Sequence, residues 1–217
     1  MLSMTFVRQA RLYGDVVHYL LIGIGLGLGA GLAPGPLLAL VVTTSLTRGF
    51  GAGVRVALSP LVTDTVMIAL AVLLVRELPA RAGGALGVVG GLYVVWLGVG
   101  SLRDQPAEIE ATGGPDPLRR GVLVNLLSPH PWLFWFTVGG PLVVAAWDDS
   151  PPSAIAFVVG FFTVMIGTKA VIAGVVATSR HALTAAGLHR AYRVAGLALL
   201  LTGVALAVEF GRVLLAG

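Results

Sequence analysis

The 217-residue chain has no cysteine. Disulfides, thiolate metal sites and thiol redox chemistry are thereby excluded. Charge is scarce as well: 11% of residues are Asp, Glu, Lys or Arg, against roughly 25% in ordinary soluble domains. Lysine occurs once, at Lys169. Polar linkers are nearly missing; only 102–118 is polar over any length, which leaves no separate soluble domain. What remains is 57% hydrophobic, in stretches that reach the ~20 residues needed to cross a bilayer. Composition therefore predicts an all-α, polytopic membrane protein forming a single transmembrane domain over 1–217. The net charge of +4 comes mostly from arginines at segment ends, which marks cytoplasmic loops facing a lipid bilayer and not a nucleic-acid partner.

Hydrophobic segmentation predicts six transmembrane helices, at about 16–46, 52–75, 84–101, 119–146, 153–178 and 191–214. The basic start up to Gly14 and the apolar run from Val16 are expected to form a retained first span, since no small-residue cleavage site parts them. Two spans carry an interruption. The first reads Ala33-Pro34-Gly35-Pro36, the second Ser128-Pro129-His130-Pro131. Proline removes a backbone donor and clashes with the preceding turn, and it pushes the residue before it out of the helical region. Helices 1 and 4 are therefore expected to be broken, with His130 held extended between its prolines. The surrounding text repeats, LAPGPLL from Leu32 and LSPHPWL from Leu127. Repeat one (about 15–101) and repeat two (about 119–217) flank the polar loop 102–118 and hold three spans each. An odd number inverts one half against the other. Paired breaks in inverted repeats point to a transporter's binding site.

Arginine placement sets the expected orientation. Arg48, Arg55, Arg103, Arg119, Arg120, Arg180, Arg190 and Arg193 share one side, against Arg8, Arg11, Arg76, Arg81 and Arg212 on the other. That bias puts both termini outside. Gly23, Gly27 and Gly31 recur every four residues, as do Gly83, Gly87 and Gly91. Such ridges bring helix backbones close, within one chain or across a homodimer.

Few residues inside the spans carry chemistry. Asp64 in the second span costs about 2.5–3.5 kcal/mol to insert, so a proton, a cationic substrate group or a structural partner such as Thr63 is expected beside it. Lys169 in the fifth span sits at similar depth by helical rise; it either pairs with Asp64 or snorkels toward the headgroups. His130 is placed to relay protons, touch substrate or bond an exposed carbonyl. Asn125, one turn before the second break, is placed to cap freed backbone groups. Thr44 and Trp132 are candidates to line the path, Thr44 equally to bond back to its own helix. A new half-helix starts after each break, and its positive dipole end favours an anion such as a substrate carboxylate.

Ordered motifs accompany these residues. The first is Gly31-x-x-Pro34-Gly35-Pro36, then Ser45-x-x-Arg48-Gly49, Gly53 and Asp64. The second is Arg120-Gly121-x-x-x-Asn125-x-x-Ser128-Pro129, then Leu133-Phe134-Trp135 and Pro141. In this set the chain resembles the LysE/RhtB (lysine exporter) family of amino-acid exporters. The resemblance implies a six-helix secondary transporter that exports amino acids or related zwitterionic metabolites across a bacterial or archaeal cytoplasmic membrane, driven by protons. By position, Pro34, Gly35, Pro36, Asp64, Asn125 and Pro129 match the family motif. The family commonly has Asn-Pro-Lys where this chain has Ser128-Pro129-His130, which bears on substrate and not on fold.

The alternative within the same superfamily is export of a divalent metal or other cation. Ligands for it are few: no Cys, four Met and one intramembrane His. An intramembrane protease would need paired aspartates or a separate Ser–His pair at depth; a single Asp, Asp64, is present, and Ser128 and His130 are two apart on one stretch. No enzyme activity and no cofactor is expected.

Overall fold

The computed structural model describes residues 2–33, 35–103 and 116–178, together with 193, 197, 200, 201, 203–208 and 210–212. Pro34, the stretch 104–115 and much of the sixth expected span lie outside the described residues. The order is α1 (Leu2–Leu32), α2 (Pro36–Arg48), α3 (Phe50–Ala57), α4 (Ser59–Arg76) and α5 (Ala80–Arg103). Then follow α6 (Pro117–Leu127), α7 (Pro129–Phe134), a π-helical turn (Trp135–Gly139), α8 (Gly140–Asp149) and α9 (Pro151–Thr178). The chain is all-α, with no strand among the described residues. Tyr13–Leu32, Phe50–Arg76 and Pro151–Thr178 are each long and apolar enough to cross a membrane.

Both breaks are present. α1 stops at Leu32 and Gly35 is fully extended (φ −165°, ψ 175°) before α2. α6 stops at Leu127 and Ser128 is extended (φ −76°, ψ 130°) before α7. Pro36 and Pro129 each open the next helix, where a missing N–H removes no intrahelical bond. His130 corrects the expectation of an extended backbone, because it lies in the first turn of α7. A helix leaves its first four N–H groups without internal partners. Pro129 and Pro131 both fit in that turn, so only Ser128 has to leave the helical region.

The arms around the breaks are unequal. Tyr13–Leu32 has 20 residues before the first break and α2 has 13 after it. α6 has 11 before the second break, whereas the helix beyond it runs on through pieces of six, five and ten residues. Long precedes short in the first half and short precedes long in the second. The halves therefore match at their breaks and not along whole helices. The short arms α2 and α6 pack on each other, as do the long arms α1 and α8, so both breaks face one interior.

α9 is the central column of the described part. α1 lies along it with Gly23 and Gly27 against the backbone of Phe157 and Phe161, and Gly31 against Met165 and Thr168. Gly160 returns the contact toward Leu20 and Ile24. The ridge on α1 is thus used within the chain. Gly53 sits against Ser45 and Ala173, and Gly121 against Ser59 and Val56, so these motif glycines are packing positions. Trp135, Phe157 and Phe161 are fully buried at the centre of the main core. Close packing of small residues, not hydrophobic burial, holds helices together in lipid.

Candidate functional site

A cavity of about 250 Å³ opens where the two breaks meet. Gly35 and Pro36 line it from the first break, Ser128, His130 and Pro131 from the second. Asp64 of α4, Asn125 of α6 and Lys169 of α9 line it as well. Thr44 is buried in α2 away from this wall, and Pro129 and Trp132 also lie outside the lining.

Asp64 is buried and held by its neighbours. Asn125 Nδ2 donates to Asp64 Oδ1 at 2.7 Å and to Thr63 Oγ1 at 2.6 Å. The Thr63 hydroxyl lies 3.0 Å from Asp64 Oδ1 and 3.3 Å from the Ser59 carbonyl oxygen, with one proton for the two acceptors. Both carboxylate bonds fall on Oδ1, which turns Oδ2 to other ligands. Asn125 was expected to cap the second break and instead serves the carboxylate. A carbonyl freed there is bonded by another residue, Trp132 Nε1 donating to Leu126 O at 2.8 Å; Ser128 Oγ adds a second bond (2.7 Å) to Val124 O, which keeps its helical N–H from Ser128. Trp132 is therefore part of the break's own repair, stacked on Phe136.

Lys169 neither snorkels nor forms a contact ion pair. Its ammonium donates to the carbonyls of Ala30 (2.6 Å) and Gly31 (3.1 Å) in the last turn of α1. Those carbonyls lose their helical partners at the first break and must be satisfied inside protein, and a cation suits the negative end of a helix. Asp64 and Lys169 line the same cavity without touching. The ammonium carries three donors, two of which are engaged.

An aromatic wall completes the site, and composition gave little sign of it. Tyr93 and Trp96 of α5 stack at 5.9 Å, and His130 stacks with them at 6.5 and 6.4 Å. His130 Nδ1 and the Tyr93 hydroxyl are 2.8 Å apart. Phe134, Trp135 and Phe161 line the cavity beside this group. The signal for Tyr93 and Trp96 was their i, i+3 spacing on an otherwise small-residue helix. Trp135 begins the π-helical turn, a feature common at functional sites. Its indole shares the cavity lining with Asp64. Nε1 completes no hydrogen bond, and among the described residues it is the buried side-chain polar atom left unpaired.

No group of three or more His, Cys, Asp or Glu side chains gathers for a metal among the described residues. Comparison with curated proteins gives no match, and comparison with solved structures gives none either. The family model described as LysE type translocator matches residues 28–210, from the end of α1 through both breaks and Lys169. The cavity with its two breaks lies within that match, and the chain belongs to the LysE type translocator family.

Proposed function

We propose that this membrane translocator exports amino acids or closely related small zwitterions, and that protons drive it. The observation that carries the reading is one small cavity, lined at once by both helix breaks, a buried carboxylate and a buried ammonium. A zwitterion brings the complementary pair. Its ammonium meets Asp64, whose Oδ2 is turned from the Thr63 and Asn125 bonds. Its carboxylate meets the remaining donor of Lys169 and the start of α2. There the N–H groups of Leu37 and Leu38 are at the positive end of the helix dipole, and both residues line the cavity.

Coupling follows from competition. One carboxylate can hold a proton or face a substrate ammonium, but an uncompensated charge at this depth is costly in either case. Release of substrate on one side then favours uptake of a proton from that same side, and loss of the proton on the other side frees the carboxylate for the next substrate, which is antiport. Asp64→Asn preserves shape and the bond from Asn125 while removing the titrating group. Purified and reconstituted, this variant is expected to fold and to lose substrate efflux at least about a hundredfold. Efflux at the wild-type rate from loaded vesicles would reject the assignment.

A further inference from the structure

Resting on that reading, we propose that the translocated zwitterion carries a single uncharged, largely apolar side chain, of the leucine, methionine or phenylalanine kind. The polar groups in the cavity are few and gathered around one carboxylate. Among the described residues, Asp64 and Lys169 are the only Asp, Glu, Lys or Arg in its lining. Together they balance one ammonium and one carboxylate, the charges of an amino-acid backbone. A lysine or arginine side chain would bring a second cation with no second carboxylate to face it. A glutamate would bring a second anion, while the ammonium of Lys169 is already shared with two backbone carbonyls. Burying an unpaired charge is far more costly than burying an apolar group.

The rest of the donor inventory fits a backbone carboxylate. The unpaired indole N–H of Trp135 is fully buried at the cavity wall, beside Asp64. A buried donor with no partner is rare and invites one. A substrate carboxylate oxygen supplies the missing acceptor, with the substrate's own ammonium lying between it and Asp64 so that the two carboxylates do not meet. What is left of the wall is apolar or aromatic. Tyr93, Trp96 and His130 form one stacked group, and Phe134, Phe161 and Met165 provide the rest. Thioether and ring surfaces adapt to branched or flat apolar side chains alike. A cavity of about 250 Å³ has room for one amino acid.

The test uses the full chain in proteoliposomes, loaded in turn with leucine, methionine, phenylalanine, lysine, arginine or glutamate. Counterflow of the same labelled amino acid is measured. The three apolar amino acids are expected to exchange at least about tenfold faster than the three charged ones. Trp135→Phe keeps the ring and removes the N–H. It is expected to raise the KM for leucine severalfold without reversing the order of preference. Lysine, arginine or glutamate exchanging as fast as leucine would overturn the side-chain class and leave amino-acid export standing. No exchange of any amino acid by folded, monodisperse protein would overturn amino-acid export itself. An unchanged KM in a folded Trp135→Phe variant would remove the indole N–H from the site.

Discussion

Replacing Lys169 by methionine keeps the length of the side chain and deletes its ammonium. The carbonyls of Ala30 and Gly31 then lose their donor. An unmade hydrogen bond at a buried carbonyl costs about 1–3 kcal/mol. Lys169→Met is therefore expected to lower the melting temperature by several degrees as well as to impair transport. Lys169→Arg, which keeps a cation, is expected to recover most of the stability. Thermal unfolding in detergent reads both; an unchanged melting point for Lys169→Met would show that the cap contributes nothing. At this scale the site was partly legible. Asp64 and Asn125 stood out as polar residues in apolar text, and the structure joins them at 2.7 Å. The partners of Lys169 could not be read, because helical rise fixes its depth and not the direction in which it points. Trp135 was obscured in a different way, since a π-helical turn shifts the register that periodicity assumes.

Elements show why one residue type has two meanings along this chain. Gly27 packs against the backbone of Phe161, and a Cβ there has no room. Gly35 is extended at φ −165°, a conformation open to any residue, and nothing lies within 4 Å of a Cβ placed on it. Gly27→Ala is thus expected to destabilise the α1–α9 pair by about 1–3 kcal/mol or more, the range for overpacking, whereas Gly35→Ala is expected to leave stability unchanged. If Gly35→Ala alone alters transport, the effect belongs to the cavity wall. Comparing melting temperature with counterflow for both variants separates the two roles. The positions of both breaks were readable because proline acts locally. Their internal repair was not. Trp132 bonds the freed Leu126 carbonyl from the far side of the break, a contact that depends on how the two arms bend. The proline rule also failed locally at His130, where a helix start absorbed both prolines.

For the molecule as a whole, the two breaks face one cavity although the arms are ordered differently in the two halves. The short arms α2 and α6 belong to the arginine-rich side, where Arg48, Arg55, Arg119 and Arg120 lie. The long arms end at Tyr13 and at Asp148-Asp149, where Tyr19 donates to Asp149 Oδ2 at 2.8 Å and ties α1 to α8. The charge rule predicts that the first side is cytoplasmic, which would place the cavity nearer the cytoplasm than the outer face. An export site so placed would collect substrate from within and release it past the packed rings of Phe134, Trp135 and Phe161. The absence of native cysteine makes the geometry directly testable. Asp148 and Arg119 are both exposed at opposite ends. In intact cells a membrane-impermeant maleimide is expected to label Asp148→Cys and to reach Arg119→Cys only after permeabilisation. The reverse pattern would invert the molecule, place the cavity near the outer face, and turn the aromatic rings from an exit barrier into an entry barrier.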